Sequence, residues 1–162
     1  MDLSILQSRW KVGSLRVEDV HVAATELLQI GIESPALIRL AGMMEASSSE
    51  VEPVLEEAFR EGGLDPVDER TARWRLAYET ARQIVARELS PFEGATRLWH
   101  LATELGLPKP LRYFVYLAAD YAEGPGDRAT EEEWFDARII EAAEKLLAVR
   151  DSIGESPPPD LD

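Results

Sequence analysis

Cysteine is absent from all 162 residues, which excludes a disulfide framework, a thiolate zinc site, an iron–sulfur cluster and a cysteine nucleophile. Histidine occurs only at His21 and His100, so imidazole chemistry has few places to go. No apolar run approaches the roughly 20 residues of a bilayer span. The opening MDLSILQSRW has neither the basic nor the continuous apolar region of a secretory leader, and a cytoplasmic location is expected. Basic residues are scarce: 17 Lys plus Arg stand against 31 Asp plus Glu, giving a formal net charge of −14. Nucleic-acid phosphates and anionic membranes both require a basic surface, so neither is expected as a partner. Phosphate loops are missing as well, because Gly62-Gly63 and Gly124-Pro125-Gly126 lack a flanking strand and a following Lys-Ser/Thr.

What the chain does contain is helical periodicity. Hydrophobic residues make up 45% of it, and at this length a chain buries roughly 70% of its unfolded surface, enough for one core without covalent staples. Val17, Val20, Ala24, Leu27 and Leu28 form the first clear stripe and Gly31 ends it. Ser34-Pro35 reads as N-cap and first helical residue of a short helix closed by Gly42. Ser49 with Glu52 reads as a capping box for the stripe Val51, Val54, Leu55, Ala58 and Phe59. Asp65-Pro66 opens the longest stripe, to about Leu89, which is expected to be the central helix. Ser90-Pro91 caps a helix through Leu105, Leu111 begins one ending at Glu123, and Thr130 with Glu133 is a third capping box, for a helix to Ile153. Phe135, Ile139, Ala142, Leu146, Val149 and Ile153 step along that last helix by fours and threes, a stripe for a long bundle helix or, if exposed, for a partner helix.

These signals predict an all-α fold: a single-domain bundle or array of about six or seven helices over residues 17–153. Asp2 to Trp10 fits a short additional helix within the segment 1–16. Residues 154–162, with Pro157-Pro158-Pro159, are expected to be a disordered, acidic tail.

Charge is unevenly distributed. Residues 43–69 carry −8, residues 70–112 carry +4 and residues 113–162 carry −9. The acidic blocks either neutralise the basic middle internally or form a face for a basic partner. Arg70, Arg73, Arg75, Arg82 and Arg87 are expected to pair with Glu79, Glu88 and neighbouring acids. Glu50, Glu57 and Glu61 are the partner-binding candidates, since Glu57 and Glu61 are like charges four residues apart on one helix face.

Enzymatic readings rest on thinner patterns. Glu18 and His21 make one Glu-x-x-His, but a di-iron bundle needs two and Arg97 stands three residues before His100. His100 and Glu104, four apart beside Trp99, have the spacing of an oriented imidazole or of an ordinary surface pair. A Mg²⁺-dependent hydrolase resembling the all-α nucleotide pyrophosphohydrolases would draw on Asp120, Glu123, Glu133, Asp136, Glu141 and Glu144. None of these pairs follows that family's order of a Glu-x-x-Glu helix before a Glu-x-x-Asp helix, and outside that alternative no cofactor is expected.

The stretches Ser34-Pro35-Ala36-Leu37-Ile38-Arg39-Leu40-Ala41-Gly42 and Ser90-Pro91-Phe92-Glu93-Gly94-Ala95-Thr96-Arg97-Leu98-Trp99 resemble segments of small acidic helical proteins of GC-rich bacteria, over residues 15 to 150. The resemblance implies a bacterial cytosolic helical domain and carries over no functional residues. A non-enzymatic interaction domain of immunity, antitoxin-like or regulatory kind, binding a basic protein, is therefore the expected function. A structural homodimer built on the last helix is the further alternative.

Overall fold

The computed structural model describes residues 2–123, 128–153 and 157–158; the side chains of residues 123, 128–132 and 153 lie outside that description. The fold is all-α. Its helices are α1 (Leu3–Lys11), α2 (Val20–Gln29), α3 (Pro35–Ala41), α4 (Ser48–Glu61), α5 (Glu69–Val85), α6 (Pro91–Glu104), α7 (Lys109–Glu123) and α8 (Arg128–Ile153). A 3₁₀ turn, Val17–Asp19, leads into α2. The seven expected stripes are thus joined by the N-terminal helix, which Asp2 caps by accepting from the Ile5 amide at 2.9 Å. No described helix is long and apolar enough to cross a membrane.

The chain forms two compact units, residues 1–72 and 73–162, and the buried side chains divide accordingly into two clusters. There are two cores among the described residues, and the helix expected to be central supplies one of them together with α6, α7 and α8. In the first unit, Leu6, Leu27, Leu37, Leu40, Val51 and Leu55 are fully buried, and α3 packs on both α2 and α4. Each such side chain contributes roughly 1.5–3 kcal/mol through burial. In the second unit, Trp74, Ile84, Leu98, Leu111, Phe114, Ile139 and Leu146 fill the core from α5, α6, α7 and α8. Of the α8 stripe, Ile139, Ala142 and Leu146 are buried in this core and Phe135 packs against it. Gly94 is what lets α6 approach α5, since a Cβ there would lie 2.3 Å from Ile84 Cγ1.

Several boundaries differ from the expected ones for identifiable reasons. Helix α4 begins a little earlier than Ser49, because Ser47 and Glu50 form the capping box, with the Ser47 amide donating to Glu50 at 2.8 Å and its hydroxyl at 2.6 Å. Glu52 is thereby released from a capping role. Helix α5 starts after Asp68, whose carboxylate accepts from the Thr71 amide and hydroxyl, and not at Asp65-Pro66. It ends before Leu89 because Arg87 turns left-handed, with φ 57°, and Glu88 folds back onto Arg82. Helix α8 already includes Thr130, which therefore is not its N-cap. Of the tail, only Pro157 and Pro158 are described, and Pro158 is buried.

Candidate functional site

The three carboxylates singled out as a partner-binding strip on α4 are all engaged within the first unit. Glu50 closes the capping box just described. Glu57 takes the guanidinium of Arg39, on α3. Glu61 reaches the N-terminus of α3, accepting from the Ala36 amide at 3.1 Å and from the Ser34 hydroxyl. Ser34 itself accepts from the Leu37 amide at 3.1 Å, and its carbonyl takes the Ile38 amide. With Pro35 contributing no N–H, every donor of the first turn of α3 is satisfied, one of them by a helix 25 residues further on. The Ser34 hydroxyl, followed by the Ala36 amide, holds the Glu61 carboxyl below the ordinary carboxylate range. The serine cap was legible in the sequence; the glutamate that completes it was not, because the pairing depends on how α4 lies beside α3.

What remains of the acidity of α4 is Glu52 and Glu56, and both line a cleft of about 620 Å³ between α1 and α4. Trp10 and Lys11 of α1 share its wall with Phe59 and Arg60 of α4, and residues 64–67 complete it. Its edge is fixed by Gln7, whose buried side chain donates to the Asp65 carbonyl at 2.9 Å. In this cleft an aromatic surface, unpaired charge and a cavity of ligand size coincide. Glu52 and Glu56 had not been candidates, since Glu52 read as a cap. The signal that could have found them is their i,i+4 spacing on the face that also carries Arg60.

In the second unit the described hydrolase candidates fall in separate surroundings. Glu133 and Asp136 lie together in a cleft of about 500 Å³ with Arg87 and Ser90. Glu141 is held by Arg138 at 3.1 Å and Lys145 at 2.8 Å, which together keep its carboxyl low. Glu144 and Asp120 are exposed elsewhere on α8 and α7, and the Glu123 side chain lies outside the described residues. Among the described residues no three His, Asp or Glu side chains converge as metal ligands. His100 and Glu104 do not form a dyad: Glu104 accepts from Arg73 Nε at 3.0 Å, and His100 stacks on exposed Trp99. Glu18 belongs to the 3₁₀ turn and His21 to α2, so that pair is not on one helix face.

The arginines of the basic middle behave as expected where they are paired. Arg82 bridges Glu79 and Glu88 with bonds of 2.7–3.1 Å, and their charge strengthens its protonation. Trp134 is exposed under the Arg138 guanidinium, 5.3 Å from its ring centre. In the core, the Trp74 indole N–H and the Tyr78 hydroxyl are buried without a protein hydrogen-bond partner. Burial raises the Tyr78 phenol above its ordinary value of 10.0, with the charge of Arg150 opposing.

Comparison with family models, with curated proteins and with solved structures finds no match to the chain.

Proposed function

We propose that the chain is a non-enzymatic, cytoplasmic binding module that docks a basic protein partner, in the manner of an immunity, antitoxin or regulatory protein. The observation that carries this reading is the division of labour on α4. Glu50, Glu57 and Glu61 complete caps and ion pairs, whereas Glu52 and Glu56 remain exposed and unpaired on the cleft wall beside Trp10. A net charge of −14 adds long-range attraction for a basic partner, which speeds encounter and selects against acidic competitors.

The test is capture of the tagged chain's partners from a lysate of its source cells at low and at high salt. A stoichiometric basic protein, released by salt and lost from the Glu52→Lys/Glu56→Lys variant, is the expected result, because exposed charge pairs are screened over about 10 Å at 0.1 M salt. A partner held equally well at high salt and by the double variant would refute the proposal.

A further inference from the structure

We infer that the α1–α4 cleft is a binding site for arginine bearing a free carboxylate, as the amino acid or as the last residue of a peptide. Its guanidinium lies between Glu52 and Glu56, and its carboxylate meets Arg60 and Lys11. The inference rests on the preceding reading for the role of the two glutamates and goes beyond it in naming what they hold.

The argument begins with charges that have not collapsed onto each other. Elsewhere the chain forms ion pairs readily, as between Arg39 and Glu57, Arg73 and Glu104, or Arg82 and Glu88. Around this cleft Lys11, Glu52, Glu56, Arg60 and Asp65 stand together without one ion pair among them. A group with positive charge alone would leave the two cations unmatched, and one with negative charge alone would leave the carboxylates unmatched. A basic group that also carries an anion meets both signs of charge at once.

Spacing then selects the ligand. Glu52, Glu56 and Arg60 follow one another at intervals of four residues along α4, each step a rise of about 6 Å. Extended arginine spans about 7 Å from carboxylate carbon to guanidinium carbon, given six bonds of about 1.5 Å in a zigzag. From midway between Glu52 and Glu56 to Arg60 is about 9 Å along the helix, which that length spans once a hydrogen-bond distance at its end is added. Two carboxylates one turn apart favour a planar five-donor fork over a compact ammonium. The half-buried Trp10 supplies the aromatic face on which a guanidinium stacks. A volume of about 620 Å³ exceeds what arginine alone requires, so a preceding stretch of peptide is accommodated as well.

Calorimetric titration of the full chain with L-arginine, and with acetyl-Gly-Gly-Arg carrying a free C-terminal carboxylate, tests the assignment. Saturable one-to-one binding of either probe is expected. Binding of L-arginine alone identifies the amino acid as the source, and binding of the acetylated peptide identifies a chain terminus. The C-terminal amide of the peptide, and agmatine, are each expected to bind about tenfold or more weakly than their acids, since each lacks one charge-assisted contact. Glu56→Gln and Arg60→Gln are expected to weaken binding similarly while leaving the circular dichroism spectrum unchanged. Trp10→Phe keeps an apolar wall and is expected to weaken binding less. Absence of saturable binding by both acids overturns the inference, as does equal affinity for acid and amide or an Arg60→Gln variant that binds normally. Should neither probe bind while salt-sensitive capture still depends on Glu52 and Glu56, the arginine site falls and the binding-module reading stands. Probe binding without any captured partner separates the two in the opposite direction.

Discussion

The contact between Ser34 and Glu61 makes the sharpest stability prediction, because it joins two helices through groups whose every bond is accounted for. Helix α3 has seven residues, too few to persist without tertiary support. Ser34 is 4% exposed, accepts from the Leu37 amide and donates to Glu61. Replacing it by alanine removes the cap, for about 1 kcal/mol within a usual range of 0.5–2. It also takes away one of the two donors on Glu61, leaving only the Ala36 amide. If the first unit unfolds by itself, 1 kcal/mol lowers a thermal midpoint by about 4–8 °C; if the whole chain unfolds together, the shift is about 2–4 °C. Urea and thermal unfolding of wild type, Ser34→Ala, Glu61→Ala and the double variant close a mutant cycle. The two single effects are expected to exceed the double one when summed, since each removes the other's partner. Strict additivity, or an unchanged midpoint for Ser34→Ala, would refute the inference that the two helices are locked through this pair.

Acid titration provides the second prediction. Glu61 is held low by the Ser34 hydroxyl, Glu50 by the Ser47 hydroxyl, and Asp68 by the Thr71 amide and hydroxyl. Groups with depressed folded values stabilise fully above their ordinary values, 4.5 for Glu and 3.8 for Asp, and lose that contribution as pH falls through the lower folded ones. Urea midpoints measured downward from about pH 6 should therefore decline below about pH 4.5, and less steeply for Glu61→Gln. At the alkaline end the sign reverses. Because burial raises the Tyr78 phenol, its contribution is present below about pH 10 and is lost as the unfolded chain ionises first; Tyr78→Phe should flatten that limb. Gly94→Ala gains up to about 1 kcal/mol of helix propensity but forces a Cβ against Ile84, at about 1–3 kcal/mol for overpacking. A net loss of stability in urea, relieved in an Ile84→Ala background, is expected.

Local chemistry was read correctly at several helix ends. Ser34-Pro35 and Ser90-Pro91 begin α3 and α6 as expected, and Gly42 closes α3. Ser49-x-x-Glu52 was expected as the capping box of α4, and Ser47-x-x-Glu50 fits the same spacing. The structure decides in favour of the earlier pair and so changes what Glu52 is for. The intramolecular partners of Glu57 and Glu61 were hidden for a related reason: one helix face shows which carboxylates are adjacent, but not which of them a second helix engages.

Sequence by itself determined the all-α class, most of the helix boundaries and the apolar stripes, because caps and 3.6-residue periodicity are written within a turn or two of chain. Tertiary structure alone decided that the stripes form two cores, that Glu61 caps α3 across 25 residues, and that Glu52 and Glu56 share a cleft with Trp10 and Arg60. Those outcomes depend on how helices lie side by side, and a carboxylate's role follows from the donors that this packing brings within hydrogen-bond reach.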